Sequence, residues 1–399
     1  MKYVVILGDG MADYPLPERD NKTPLALSHT PAMDRLARNG ELGLVRTIPE
    51  GMDPGSDVAN LSVLGYDPKR FYSGRAPIEA ASIGVELSPA DVAFRCNLVT
   101  FREQNGRFIM DDYSAGHIAT ADARLIIKEL KRHLDAPDVT FYPGVSYRHL
   151  MVWNNGCADM KTTPPHDITG RPIADYLPQG NGAETIRALM ERAREILAEL
   201  EINRQRACPV GGIWLWGQGR AIKLPRFKDK YGISGSVISA VDLVKGLGIC
   251  AGLRVINVPG ATGYLDTNYE GKVCAALDAL AEGDFVYVHV EAPDEASHKG
   301  SLDEKIRAIE DFDSRIVAPI VAGLEQRYEE FRLMVLPDHP TPLAIRTHAP
   351  DPVPFIMYAS RDASRHGARD RAYTEQDAAQ SGLFINSGWQ LMDRLIQGF

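Results

Sequence analysis

The hydrophobic positions of this chain gather into short β-branched runs, and several of these runs stop abruptly at acidic or histidine residues. Residues 3–7 (YVVIL) are followed by Gly-Asp-Gly, residues 285–290 (FVYVHV) by EAPDEASH, and residues 331–336 (FRLMVL) by PDHPTP. Runs of this length and composition predict buried strands that each feed a loop. The polar residues that follow them are therefore expected at strand ends.

Between the last two runs, residues 302–328 carry apolar side chains at helical spacing, namely Ile306, Ile309, Phe312, Ile316 and Ile320. Strand, helix and strand in succession predict a βαβ unit, and hence an α/β fold with a mostly parallel sheet flanked by helices. Such sheets place polar sites beyond the carboxyl ends of their strands. All three acidic clusters are expected there.

The middle of the chain has a different pattern. From about residue 83 to residue 238, alternating strand signals surround a helix predicted over residues 182–200, and proline-rich stretches interrupt them. We interpret residues 83–238 as an inserted α+β domain that binds substrate or caps the site. Residues 1–82 and 239–399 then form a discontinuous α/β core.

Composition narrows the class of protein. The 399 residues allow two domains, and the 44% apolar and 24% charged content is ordinary for a soluble enzyme. The net charge of −9 argues against nucleic-acid or anionic-membrane partners, and no apolar run approaches the roughly 20 residues of a membrane span. Five scattered cysteines without a C-x-x-C pair predict reduced thiols in a cytoplasmic protein.

Six acidic or imidazole side chains follow or flank the predicted strands: Asp9, Asp294, His298, Asp338, His339 and His348. Any one of them alone is ordinarily a turn or structural residue. Together they predict a site for two divalent ions, and mixed carboxylate and imidazole ligands fit Zn²⁺ or Mn²⁺ better than Ca²⁺ or Mg²⁺. A pair of such ions suits phosphoryl transfer.

Phosphoryl transfer also needs an oxygen nucleophile, and the segment MDPGSDVANLSVLGYDP places Ser56 before a short apolar helix. As an N-cap residue, Ser56 is expected at the positive end of a helix over residues 58–64, which favours an alkoxide or a phosphate. Asn60, one turn into that helix, is expected to donate to a phosphate oxygen.

These motifs together resemble the cofactor-independent (2,3-bisphosphoglycerate-independent) phosphoglycerate mutases, in particular their shorter archaeal-type branch within the alkaline phosphatase superfamily. The resemblance rests on Asp9 and on PGSDVANLSVLGYDP, EAPDEASHKG, PDHPTP and THAPDPVPF, and it extends over nearly the whole chain. It implies an alkaline-phosphatase-like core. One metal would be bound by Asp9, Ser56, Asp338 and His339, with Ser56 also the nucleophile. The other would be bound by Asp294, His298 and His348.

The resemblance also implies the reaction: 3-phosphoglycerate and 2-phosphoglycerate interconvert in glycolysis and gluconeogenesis through a phosphoserine. The cofactors would be two divalent ions, with Mn²⁺ or Zn²⁺ ahead of Mg²⁺ or Co²⁺. The expected partner is a small phosphoglycerate, with no nucleic acid and no membrane, and the expected state is a monomer or small homo-oligomer.

The inserted domain offers less specific signals. A glycerate carboxylate is best held by arginine and a hydroxyl awaiting phosphate needs a carboxylate base, so we expect His117, Arg148 and Asp167 to act there. Each fits a surface charge or a loop polar group nearly as well. Lys245, in VDLVKGLG, either reaches the transferring phosphate or simply ends a helix.

Three alternatives remain open. A metal-dependent phosphatase or another phosphomutase would use the same core, with water taking the phosphate in the phosphatase. Some members of the branch have been labelled homoserine kinases, but no G-x-x-x-x-G-K-[ST] loop occurs here. A metal-stabilised binding protein ranks last, because it would not need the nucleophile and both ligand sets.

Overall fold

The computed structural model describes residues 1–134, 136–361 and 370–399. Its contacts divide the chain into two compact units, which we call unit 1 (Met1–Tyr72 with Lys223–Phe399) and unit 2 (Ser73–Ile222). No helix among the described residues is both long enough and apolar enough to cross a bilayer.

The strands of the described residues are, in chain order, β1 Lys2–Gly8, β2 Glu41–Val45, β3 Val92–Gln104, β4 Arg107–Asp112, β5 Val139–Val145, β6 Arg148–Trp153, β7 Met160–Lys161, β8 Gln179–Gly180, β9 Gly212–Arg220, β10 Gly235–Ile238, β11 Arg254–Ile256, β12 Phe285–Val290, β13 Phe331–Leu336, β14 Val353–Ala359 and β15 Phe384–Ile385. The α-helices are α1 Pro24–Leu27, α2 Pro31–Asn39, α3 Ser56–Val63, α4 Pro68–Phe71, α5 Ala76–Ser82, α6 Thr120–Leu134, α7 Ala183–Glu199, α8 Glu201–Arg204, α9 Phe227–Tyr231, α10 Asp242–Cys250, α11 Tyr269–Glu282, α12 Ala292–Lys299, α13 Leu302–Phe312, α14 Ala318–Arg327, α15 Glu375–Gln380 and α16 Gln390–Gln397. Short 3-10 turns cover Pro17–Arg19, Pro165–Ile168 and Ile173–Tyr176.

Unit 1 is built on one large sheet with the strand order β11-β10-β12-β1-β13-β14-β2-β15 in the described residues. Only β14 runs antiparallel to its neighbours, and every other pairing in this sheet is parallel. The predicted mixed α/β fold with a mostly parallel sheet is therefore confirmed. The strand–helix–strand segment after residue 284 is also present, although β1 lies between β12 and β13.

The predicted helix over residues 302–328 is present as α13, a π-helical turn at Asp313–Val317 and α14 in direct succession. Phe312, Ile316 and Ile320 are fully buried in the core of unit 1 together with the apolar residues of β1, β12 and β13. The helical spacing of the apolar positions thus identifies the face that packs on the sheet.

Unit 2 contains an antiparallel sheet with the order β4-β3-β6-β5, and β9 pairs with β3 as well. Helices α6 and α7 pack against β5 and β9, respectively. The core between them includes Phe94, Ile126, Phe141, Leu197 and Trp214.

The boundaries of the two units differ from the predicted ones. Helix α5 packs on β3 and β9 through Ala76 and Ala80, so it lies in unit 2 and not in the core. At the other end, β10 pairs with β12 in the large sheet, so residues 223–238 lie in unit 1. The sequence marks neither boundary, because composition does not change at the residues where the chain passes from one unit to the other.

Candidate functional site

Parallel pairing brings the ends of three strands of unit 1 to one edge of the sheet. Gly8 aligns with Val290 of β12, and Leu7 aligns with Leu336 of β13. Asp9 therefore lies beside the start of α12 and beside the loop that follows β13. This alignment is the physical reason why acidic residues from three distant parts of the chain converge.

The first group of converging side chains, which we call the serine cluster, consists of Asp9, Ser56, Asp338 and His339. The Nε2 atom of His339 lies 3.1 Å from the Ser56 hydroxyl, 3.4 Å from Oδ2 of Asp338 and 3.6 Å from Oδ1 of Asp9. Asp9, Asp338 and His339 are fully buried.

Ser56 is the first residue of α3, and the N-cap position belongs to Gly55, whose backbone is extended. The prediction that Ser56 caps this helix is therefore wrong. Because the Ser56 hydroxyl makes no capping hydrogen bond, it is available to the cluster while it still lies at the positive end of the helix.

Asn60 lies one turn into α3 and makes three hydrogen bonds within the protein. Its amide nitrogen donates to the Ser56 carbonyl at 2.8 Å and to Oδ2 of Asp338 at 2.9 Å, and its Oδ1 accepts from the Tyr287 hydroxyl at 2.6 Å. Both amide hydrogens are used within the protein, so Asn60 orients Asp338 here, and its donation to a phosphate stays a prediction.

The second group, which we call the histidine cluster, consists of Asp294, His298 and His348. Asp294 and His298 both lie on α12, one turn apart as predicted. Nε2 of His298 is 3.1 Å from Oδ2 of Asp294 and 3.1 Å from Nε2 of His348. Nδ1 of His298 faces the Arg346 carbonyl at 2.9 Å, and since a carbonyl can only accept, Nδ1 carries the hydrogen. Nε2 is then the nitrogen that could bind a metal ion, and without an ion it can carry a second proton toward Asp294.

Thr341 joins the two clusters. Its hydroxyl donates to Oδ1 of Asp294 at 2.5 Å and accepts from Nδ1 of His339 at 3.2 Å. This direction follows because an ionised carboxylate only accepts. His339 is therefore held with its Nε2 lone pair toward Ser56. The rings of His339 and His348 are tilted against each other with centroids 4.1 Å apart, so the clusters are contiguous.

Burial and neighbouring charges shift the pKa values of several residues in the two clusters. Burial, with the charges of Asp338, Glu291 and Asp294, raises the pKa of Asp9 well above its ordinary value. Burial opposes protonation of His298, but the hydrogen bond and charge of Asp294 outweigh it and raise the pKa of His298 to about 9. Burial lowers the pKa of His339 to about 4. The raised pKa values of Asp9 and His298 both correspond to added positive charge at the site.

The donor atoms fit metal ions. Tetrahedral ligands at metal–ligand distances of 2.0–2.2 Å lie about 3.3–3.6 Å apart, close to the separations in both clusters. Asp9 also has a fully buried Oδ1 without a hydrogen-bond partner in the described residues, directed at the serine cluster. A buried carboxylate oxygen without a partner is costly, and a metal ion would satisfy it.

Lys245 lies on α10, which packs against α3, the helix that begins at Ser56. Its ammonium group is partly buried and lies 3.4 Å from Asp242, one turn earlier on the same helix. Both of its predicted roles remain predictions.

In unit 2, the predicted His117, Arg148 and Asp167 are all exposed and belong to one surface cluster of rings and charges. The centroids of the His117 and Tyr147 rings are 6.1 Å apart, and Cζ of Arg148 lies 5.3 Å from the centroid of the Tyr147 ring. Asp167 lies 3.5 Å from His166. The chain of ring contacts that connects them runs from Tyr147 through Tyr113 and His166 to Trp216.

A partly buried group of charges in unit 2 escaped the sequence reasoning. Glu79 accepts from Nε of Arg95 at 2.8 Å and from Nε of Arg75 at 3.1 Å, and the guanidinium of Arg95 lies over the ring of Trp216 at 4.2 Å. Both arginines therefore contact the same carboxylate. A signal was present: Arg95 is a single charge inside the apolar run VAFRCNLV.

Proteins with similar sequences are known over nearly the full length of this chain. A family model described as 2,3-bisphosphoglycerate-independent phosphoglycerate mutase matches residues 37–203. The chain is 52% identical to a probable 2,3-bisphosphoglycerate-independent phosphoglycerate mutase of Geobacter sulfurreducens, over 99% of this chain and 100% of the relative. It is 53% identical to the 2,3-bisphosphoglycerate-independent phosphoglycerate mutase of Methanothrix thermoacetophila, over 100% of both chains.

Two solved structures are similar over nearly their full lengths. A protein from Pyrococcus horikoshii superposes with a TM-score of 0.81 at 26% identity, covering 99% of this chain and 96% of that one. The cofactor-independent phosphoglycerate mutase of Thermoplasma acidophilum superposes with a TM-score of 0.62 at 26% identity, covering 100% and 99%.

Proposed function

We propose that this chain, which belongs to the 2,3-bisphosphoglycerate-independent phosphoglycerate mutase family, interconverts 3-phosphoglycerate and 2-phosphoglycerate through a phosphoserine at Ser56. The observation that carries the proposal is the position of the Ser56 hydroxyl, 3.1 Å from His339 within a buried set of metal-type donors. The names of the near-full-length relatives support the choice of substrate.

Two divalent ions would complete the site, with Asp9, Ser56, Asp338 and His339 holding one and Asp294, His298 and His348 the other. Mixed carboxylate and imidazole donors favour Mn²⁺ or Zn²⁺ over Ca²⁺ or Mg²⁺, and we place Mn²⁺ or Zn²⁺ ahead of Mg²⁺ or Co²⁺. When bound, such ions neutralise the charge of the transferring phosphoryl group and favour the ionised serine oxygen.

Bond making and breaking balance within substrate and enzyme. Ser56 Oγ forms a bond to phosphorus while the bond from phosphorus to the glycerate 3-oxygen breaks, and the proton lost by the serine ends on that oxygen. In the second half, the glycerate 2-oxygen loses a proton, takes the phosphoryl group, and Ser56 regains its hydrogen. The positive end of α3 stabilises the phosphate in both halves. Lys245 is proposed as a further phosphate contact.

Unit 2 is proposed to hold the glycerate. Arg148, Arg95 and Arg75 would bind its carboxylate, since guanidinium groups match carboxylates in shape and charge. Asp167 would carry the proton between the hydroxyls, and His117 would bind the glycerate hydroxyls. Exposed carboxylate and imidazole groups beside a positive cluster support these roles.

We also propose that the protein works in the cytoplasm as a monomer or small homo-oligomer on a small-molecule substrate. The five cysteines support a reducing compartment, since all of them are free thiols.

The experiment that tests the proposal is an assay of 3-phosphoglycerate with the Mn²⁺-loaded protein, following 2-phosphoglycerate and free phosphate together. We expect 2-phosphoglycerate with little phosphate. Stoichiometric release of phosphate would support the phosphatase alternative instead. Exhaustive chelation should abolish the reaction and Mn²⁺ should restore it, whereas full activity after chelation would refute the two-metal site.

A further inference from the structure

Behind the serine cluster lies a buried histidine for which the reaction requires no role. His289 projects from β12, is fully buried, and places Nε2 2.9 Å from Oδ2 of Asp9. Its other nitrogen, Nδ1, lies 3.1 Å from the hydroxyl of Ser239, which is itself buried. The backbone at His289 is fixed as well, because Lys272 donates to its carbonyl at 2.9 Å.

The positions of the hydrogens follow from the partners. The Val241 amide donates to Ser239 Oγ at 2.9 Å, and the Ser239 hydroxyl hydrogen then has Nδ1 of His289 as its acceptor. Nε2 carries the ring hydrogen and donates it to Asp9. With Asp9 ionised, as a metal ligand must be, the opposite tautomer would turn a nitrogen lone pair toward a carboxylate oxygen and leave the serine hydrogen without a described acceptor.

The same atoms could instead hold a metal ion. Asp9, His289 and Glu291 offer donor atoms within 4.8 Å of one another, as a third metal site would. Oε2 of Glu291 lies 3.7 Å from Nε2 of His289 and has no hydrogen-bond partner in the described residues. A metal on Nε2, however, would need the lone pair there, whereas the hydrogen bond accepted from Ser239 places the ring's lone pair on Nδ1. The hydrogen-bond pattern favours the donor role.

We propose that His289, oriented by Ser239, is a positioning residue that holds Oδ2 of Asp9 so that only Oδ1 is offered to the ion of the serine cluster. Oδ1 is the oxygen that lies 3.6 Å from His339 and lacks a hydrogen-bond partner. The inference rests on the proposed two-metal function, and it adds a residue that acts through Asp9.

The first test measures the tautomer directly. Long-range ¹H–¹⁵N correlation spectra of the metal-loaded protein, assigned by comparison with His289→Gln, should show a protonated, pyrrole-type Nε2 and a pyridine-type Nδ1 for His289. A pyridine-type or metal-shifted Nε2 would overturn the proposal. This readout is independent of catalysis, so it separates failure of the inference from failure of the proposed function.

The second test measures metal binding by competition titration and metal analysis. His289→Leu, which cannot donate, should weaken one of the two ions about 10–100-fold, whereas His289→Gln, whose amide can donate, should retain most of the affinity. The matched control is His149→Gln, because His149 is buried in unit 2 and contacts only the Gly144 amide at 3.0 Å among its described hydrogen bonds.

Two metal results would contradict the proposal. Unchanged affinity in His289→Leu would show that Asp9 needs no support from the ring. A wild-type protein with three bound ions, of which His289→Gln loses one, would show that His289 is a ligand. If His289→Leu does not fold, the spectra of the wild-type protein and the His289→Gln variant still decide the question.

Discussion

The two polar clusters of this molecule are built differently. In unit 1, Asp9, Asp338 and His339 are fully buried, and each is oriented by further hydrogen bonds or by the end of a strand. In unit 2, His117, Arg148 and Asp167 are exposed, and they are connected through ring contacts. A buried, hydrogen-bonded set has its geometry fixed before any ligand binds, which suits metal ions and transition-state charge. An exposed set suits recognition of a substrate that must enter and turn.

This contrast predicts that substitutions in unit 1 remove the chemistry or the metal, whereas substitutions of the arginines in unit 2 weaken the binding of substrate. The largest expected effect is at Ser56. Ser56→Ala should lower kcat for 2-phosphoglycerate formation by about 10⁴-fold or more, because the phosphoryl acceptor is gone. Steady-state kinetics measures it.

The control for this variant is Ser62→Ala on the same helix. Ser62 is buried and its hydroxyl has no hydrogen-bond partner among the described residues, so activity should be unchanged. Ser56→Ala protein that retains turnover would contradict the nucleophile assignment.

The next largest effect is expected at the residue that joins the two clusters. Thr341→Val keeps the shape but removes the hydroxyl between Asp294 and His339, so at least one ion should bind about 10–100-fold more weakly. Metal titration checks this, with Thr47→Val as the control because Thr47 is buried with an unpartnered hydroxyl. Equal metal affinity in the two variants would show that the bridge does not orient the ligands.

A smaller effect is expected in unit 2. Arg95→Lys keeps a positive charge but loses the planar fork, so KM for 3-phosphoglycerate should rise about tenfold with a smaller change in kcat. Arg102→Lys, on the same strand but exposed and paired with Asp111 at 3.1 Å, is the control. A fall in kcat with constant KM would instead place Arg95 in the chemistry.

The smallest effect concerns stability at acid pH. Burial opposes ionisation of Glu79, but Arg95 and Arg75, with a contribution from Arg148, lower its pKa below the ordinary value of 4.5. A lowered pKa in the folded state means that the stabilisation is present above about pH 4.5 and is lost as the pH falls through the folded value.

Glu79→Gln should therefore flatten the loss of stability below pH 4.5. Thermal unfolding followed by tryptophan fluorescence reports mainly unit 2, because Trp153, Trp214 and Trp216 all lie there. Glu129→Gln, which removes the partner of the exposed Arg132, is the control. Equal acid slopes for Glu79→Gln and the wild type would contradict the prediction.

Sequence reasoning succeeded where position along a strand determines position in space. A polar residue directly after a buried parallel strand must lie at the carboxyl edge of the sheet, so Asp9, Asp338 and His339 could be placed together without coordinates. Asp294 and His298 could also be placed together, because residues four apart in a helix lie on the same face.

Sequence reasoning failed where the role of a side chain depends on partners that are distant in the chain. The hydrogen bond from Asn60 to Asp338 joins residues 278 positions apart, and the N-cap of α3 is Gly55, whose backbone is extended, and not Ser56. Arg95 was missed because its partner Glu79 lies on a helix that was assigned to the other domain.

The most direct test of the central claim is rapid quenching of the metal-loaded protein with 3-phosphoglycerate, followed by mass spectrometry of its peptides. We expect one phosphoryl group, on Ser56, that appears during turnover and is absent from chelated protein. Full turnover with no phosphorylated Ser56 at any quench time, or with the phosphoryl group on another residue, would contradict it.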